Sequence, residues 1–412
     1  MDESSVRGLL EAAIGDEPPM GPVARDSMRA GIKLRRRARM RRAAGGAAVV
    51  VAMAAVVPAV IGTLGNTAAR HPAPRHHAPR PPGPWVPPNG TAYVINSGGG
   101  TVTPIDLATS TAEKPIGVSG EPVAMTIAPD GKTAYVPIGL TSSRTSAQGV
   151  QPIDLATNTA GKPIDLQWPP DAVVITPDGK TAYSINGFPS LTLTPIDLAT
   201  SRPGKPVKLS EPPQIIAMAP DGKTYVAIQT STGSPAHFRV VYEFMSLDLT
   251  TGRLGKPVKL SGDPDAIAIT PNGKTAYVAI YASGTVTPID LATNTTGKPI
   301  KVSGKPLATR FYGQPMAIAI TPDGSTAYVA NGATSTVTPI DLATNKPGKP
   351  IKISGKLGAD AIAISVDGTT AYVANQPSGT VTPIYLATGT PEKPIGFGHG
   401  WDSGFEAIAI VP

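Results

Sequence analysis

The chain has 412 residues, with 44 Gly, 46 Pro and no cysteine. The missing cysteines exclude disulfides, thiolate metal sites, Cys nucleophiles and a lipid-modified N-terminal Cys. The formal charge of +7 is unevenly spread: residues 1–65 carry +4, residues 66–90 carry +3, and residues 91–412 balance 23 basic against 23 acidic side chains. The folded part therefore shows no broad electrostatic footprint for nucleic acid, and no nucleic-acid partner is expected.

In chain order, residues 1–42 read as a cytoplasmic tail. Val6, Leu9, Leu10, Ala13 and Ile14 sit at helical spacing there, in a stretch too short to hold a helix alone. Residues 43–65 (AAGGAAVVVAMAAVVPAVIGTLG) carry no charge and, as a helix, would span the roughly 30 Å hydrocarbon core. The arginine-rich run RRRARMRR just before them sets the N-terminus in the cytoplasm and sends the remainder out. The expectation is a single-pass anchor in the cell membrane. A cleaved signal peptide, giving a secreted protein, is the competing reading, but its apolar core is usually shorter and nearer the N-terminus. Residues 66–90 are a Pro-rich linker, extended and semi-rigid. Its His71, His76 and His77 have no neighbouring carboxylates, so no metal site is assigned to them.

From residue 91 onward the chain repeats itself. The element TAYV begins at Thr91, Thr133, Thr275, Thr326 and Thr370, with TAYS at Thr181 and TYV at Thr224. The seven starts recur at about 46 residues, within the roughly 40–50 of a four-stranded propeller blade. Each repeat holds four strand-like runs in fixed order. In the fifth these are DAIAIT, the turn PNGK, TAYVAI, GTVTPIDL, a polar turn, and KPIKV. The Pro of the fourth run (Pro115, Pro163, Pro206, Pro257, Pro299, Pro350 and Pro394) places that run on the outer edge, where a missing N–H costs little. A second proline, Pro104 and its equivalents, lies in the third run, which should be internal; a bulge or a late strand start is expected there. The last repeat ends on AIAI, an innermost strand, and the first begins without one. Joining the two extremities completes a seventh blade and closes a ring. The predicted fold is all-β, a seven-bladed β-propeller over residues 91–412, preceded by one transmembrane helix.

The TAYVAN starts (Thr326 to Asn331, Thr370 to Asn375), the SGTVTPIDLAT cores and the AIAITPDG turns resemble the YVTN-type β-propeller repeat family of exported and surface-layer-like bacterial proteins. The resemblance spans all seven repeats. It implies the fold strongly and the function weakly, because that family includes binding proteins and proteins of unassigned role.

The repeated Asp of PIDL and of PDG reads as a turn cap rather than a carboxylate ring, and Tyr385 replaces it in the last repeat. The insertions carry more information. Residues 140–149, 230–239, 304–314 and 396–405 all fall in connections between strands two and three or four and one, which emerge on one face. That face collects Arg144, Trp168, His237, Phe238, Arg239, Arg310, Phe311, Tyr312, His399, Trp401, Asp402 and Phe405. Arg and aromatic side chains on loops above a rigid scaffold suit recognition of a ligand or protein partner. A propeller enzyme of lactonase-like or lyase-like kind acting on a small molecule is the second reading. A structural cell-surface element is the third. The propeller holds only His237 and His399, with no H-x-H, H-E-x-x-H, phosphate loop or nucleophile elbow, so no catalytic residue, metal or cofactor is assigned.

Overall fold

The computed structural model describes residues 90–139, 148–186, 190–232, 239–281, 283–302, 315–353, 358–375, 378–396 and 405–411. The tail, the apolar segment and the linker up to residue 89 lie outside them. Among the described residues no helix is long and apolar enough to cross a membrane.

The described strands form seven antiparallel sheets, each with the same internal order. Blade five shows the pattern. Its innermost strand, Pro264–Ile269, pairs with Thr275–Ile280, which pairs with Thr285–Asp290, whose outer side is covered by Thr295–Thr296 and Ile300–Lys301. Blade one is assembled from both extremities. Its three outer strands come from Thr91–Asn96 onward, and its innermost strand is Phe405–Val411. Ala92 lies opposite Ile410 and Val94 opposite Ile408. The expected closure is therefore present.

Alternation along the second strand explains why blades stack. Odd and even side chains point to opposite faces, so Ala92 and Val94 join a core with blade seven while Tyr93 and Ile95 join one with blade two. Every other blade repeats this, giving seven apolar clusters among the described residues, each shared by two neighbours. The innermost strands neighbour one another in sequence around the ring, and Phe405–Val411 lies between Ala361–Ile364 of blade seven and Thr126–Ile127 of blade two.

Six of the seven repeats carry both prolines; blade four has Ser246 in the third strand and its outer strand bulges in the same way. The third strand of blade one runs unbroken through Pro104, from Thr101 to Asp106. The bulge or late start expected in the third run is thus not found in blade one; the irregularity sits opposite, on the outer strand, which is split in two. Thr111–Ala112 and Ile116–Gly117 pair with the two ends of the third strand, and the three residues between them, ending in Pro115, face only two. Pro104 has no N–H to give outward, and the outer strand bulges away where that donor would have pointed. The Pro104 carbonyl still accepts the Glu113 N–H at 2.8 Å. In blade five the Gly297 N–H does the same for Pro288 at 2.8 Å, and a Cβ on Gly297 would meet the Pro288 ring at 2.9 Å.

Candidate functional site

The antiparallel register divides the connections between two rims. At one rim each blade presents the start of its innermost and third strands and the end of its second and fourth: in blade five Pro264, Ile280, Thr285 and Lys301. All the insertion-bearing connections leave from this rim. The opposite rim carries the short turns between strands one and two and between three and four.

The short-turn rim is a set of capped turns. Asp154 accepts from the Thr157 N–H and hydroxyl, both at 2.8 Å, and Asp341 from those of Thr344, both at 2.7 Å. Hydroxyl bonds from Thr250 and Thr251, then their backbone N–H groups, hold Asp248 down to about 2. Asp178 takes the Thr176 hydroxyl and the Lys180 N–H across its own turn, which also lowers its pKa. These carboxylates are committed to their turns, as the sequence reading held.

The same rim also ties blades together. The Tyr93 hydroxyl donates to Asn158 Oδ1 of the next blade at 2.7 Å and lies 3.2 Å from the Leu155 carbonyl. Burial, with Glu113 and Asp154 nearby, pushes this phenol up to about 12. Tyr277 makes the corresponding bond to Asn345 at 2.8 Å. Asn158 and Asn345 hold left-handed backbone (φ 53° and 55°), which Asn tolerates better than most residues. Where blade one has Ser110 at that turn position, the Tyr372 hydroxyl of blade seven is buried without a partner.

Of the twelve residues expected on the insertion rim, Arg144, His237, Phe238, Arg310, Phe311, Tyr312, His399, Trp401 and Asp402 lie outside the described residues. Arg239 and Phe405 are placed by their backbone alone, opposite Thr232 and Asn96. Trp168 is described in full. It stands on the connection from blade two to blade three, 39% exposed, and its carbonyl accepts Asn186 Nδ2 at 2.9 Å. The rim is also lined by asparagines that the sequence reading did not single out. Asn331 and Asn375 are fully buried. Each gives Nδ2 to a threonine hydroxyl of its own third strand at 3.0 Å, and Thr338 hands the chain on to the Val302 carbonyl of blade five at 2.7 Å. The signal available in sequence was the N of TAYVAN, present in both blades.

Two surface grooves, of about 500 and 530 Å³, are lined by outer-edge and short-turn residues. One lies between the outer strand of blade one and the turn at Asn158. The other lies between blades three and four, floored by Tyr183 and Thr224. Among the described residues no group of three or more His, Cys, Asp or Glu is placed to hold a metal ion.

The fold and its two rims define a seven-bladed β-propeller of the kind found in several enzymes and in proteins of unassigned role. The chain is similar to hydrazine synthase of Kuenenia stuttgartiensis, with 22% identity over 72% of this chain and 93% of that one and a TM-score of 0.60. It is similar to the periplasmic gluconolactonase PpgL of Pseudomonas aeruginosa, with 16% identity over 78% and 99% of the two chains and a TM-score of 0.60. The dihydro-heme d1 dehydrogenase NirN matches at 14% identity over 80% and 77%, with a TM-score of 0.56. At these identities the likeness is one of fold. No family model matches the chain, and no curated protein matches it.

Proposed function

We propose that this protein is a membrane-anchored, extracytoplasmic β-propeller that binds a ligand or protein partner through its insertion-bearing rim. The observation that carries this reading is the segregation of length variation. The connections of one rim are near-uniform turns whose carboxylates are spent on capping, while every inserted connection leaves from the other. Rigid blades with variable loops on one side are how a fixed scaffold carries recognition. Trp168, a large exposed aromatic on that rim, supplies the kind of side chain that anchors binding interfaces. The anchor rests on residues 43–65 and their arginine flank, and membership of the YVTN-type repeat family on the TAYVAN and PIDLAT motifs.

A second reading is a small-molecule enzyme working at the same rim, and the likeness to the periplasmic gluconolactonase favours it. Ala replacement of Trp168, Arg310, His399 and Trp401, with the fold monitored by thermal unfolding, separates the two. The assay pairs an unbiased metabolite and protein pull-down with lactone hydrolysis by the full-length chain. Loss of a captured ligand without any turnover in the parent supports binding; turnover that these replacements abolish supports the enzyme. Variants that behave as the parent in both assays overturn the assignment of this rim.

A further inference from the structure

The outer strands carry the molecule's most uneven charge. Blades three to six present RPGKPVK (residues 202–208), RLGKPVK (253–259), TTGKPIK (295–301) and KPGKPIK (346–352). These hold eleven cations and no acid. The same seven positions in blades one, two and seven read TAEKPIG, TAGKPID and TPEKPIG, one cation and one acid each. All eleven cations are exposed. Among the described residues none of them forms an ion pair, whereas Lys223 on the turn rim meets Asp221 at 2.8 Å.

The four strips are contiguous. Gly252 of blade four packs against the Lys208 carbonyl of blade three, Asn294 of blade five donates to the Lys256 carbonyl of blade four at 2.9 Å, and Ile300–Lys301 runs beside Lys346–Pro347. The result is a basic arc over four of seven blades on a domain whose net charge is zero. Protection of the outer edges against strand addition does not explain it. Every blade has that edge and one lysine at the bulge, but only these four carry two or more further cations or lack an acid.

We propose that the outer edges of blades three to six form a docking surface for a flexible, linear anionic polysaccharide. Charge complementarity gives the sign of the partner. Curvature gives its form: the arc is convex and runs more than halfway round the ring, so a flat lipid surface would meet few of its cations at once. A duplex of nucleic acid, stiff over about 50 nm, does not bend round it cheaply either. Single-stranded nucleic acid is held by base stacking on aromatic side chains, and these four segments contain none. A polymer of carboxylate-bearing sugars needs only exposed cations in series along its path, which the four strips supply.

The test matches position as well as charge. Lys256→Glu, Lys298→Glu and Lys349→Glu are combined in one full-length variant and Lys114→Glu, Lys162→Glu and Lys393→Glu in another. Both triples occupy the same bulge position and change the charge equally. Binding of fluorescent polygalacturonate is followed by anisotropy from 20 to 200 mM salt in neutral detergent, with thermal unfolding as the check on the fold. The first triple is expected to weaken binding about tenfold at low salt and to flatten the salt dependence; the second should change it less than about twofold. Equal losses would reduce the effect to net charge, and unchanged affinity in both would assign the binding to the N-terminal arginines. Displacement of the polymer by phosphatidylserine micelles or oligo-dT at equal charge would name a different partner. Each of these results overturns the proposal.

Discussion

Blade one and blade five share a register residue for residue, yet one is continuous in the chain and the other is joined from segments some 300 residues apart. Ala92 and Ala276 are equally buried, as are Ile105 and Ile289. What distinguishes the closing blade is entropic. Its innermost strand is held by pairing and packing alone, and the loop it closes is nearly the whole domain, at a cost that grows only slowly with loop length. Local packing is thus the same at the seam as elsewhere, while the seam alone can open without breaking a hairpin.

Removing residues 405–412 should therefore have the largest effect. Ala407 and Val411 leave the core between blades one and two, Ile408 and Ile410 leave the core between blades seven and one, and the truncated chain is expected to lose its cooperative thermal transition. Equivalence of the blades is sharpened by Ile105→Ala and Ile289→Ala. Each should cost about 2–5 kcal/mol by chemical denaturation, and a difference beyond about 1 kcal/mol between them would show that the seam is packed less well than the other joints.

The joints on either side of blade one differ at the tyrosine of the second strand: Tyr93 bonds Asn158, whereas the Tyr372 hydroxyl has no partner. Tyr93→Phe removes the bond to Asn158 and should cost about 1 kcal/mol, whereas Tyr372→Phe deletes a buried hydroxyl that has no partner and should be neutral or slightly stabilising. Ser110→Asn should stabilise the joint, since Ser110 already has φ 55° and Asn at this position receives the Tyr bond elsewhere.

The smallest effect is the pH dependence. Asp154, Asp197, Asp248, Asp290 and Asp341 have folded pKa values below the usual 3.8. Their contribution is present above that value and is lost as the pH falls through the folded pKa, which for Asp248 is about 2. Tyr93 has the opposite sign: its raised pKa stabilises the fold fully below 10 and ceases to do so as the pH rises through about 12. Replacing Thr250 and Thr251 by Ala should return the Asp248 carboxyl toward its usual range, so the unfolding midpoint should fall less between pH 5 and pH 2 than it does in the parent chain.

Near-identity of the repeats makes the ring legible in the sequence alone. Seven TAYV-like starts fixed the blade number, and the unmatched AIAI at the end of the chain announced closure. The position of the bulge was not legible, because a proline reports only its own missing donor. Which strand yields depends on the neighbour, and here the outer strand, already interrupted by its own Pro, is the one that bends. The capping role of the PIDL aspartates was readable from the Thr three residues on; the Tyr–Asn bridges were not, since they join residues more than sixty positions apart. The basic arc escaped notice for a different reason. Each lysine taken alone is an ordinary edge charge, and the pattern exists only once the blades are set side by side.

Ring closure is tested most directly by a cysteine pair in this otherwise cysteine-free chain. Ala92→Cys and Ile410→Cys lie opposite each other in the seam and belong to the same core. Mild oxidation of the double variant should give an intramolecular disulfide in nearly every molecule, seen by intact mass and by mobility on non-reducing gels, with an unfolding midpoint above that of the reduced form. A chain that stays reduced, or that links only to other copies of itself, would contradict the closed seven-bladed ring.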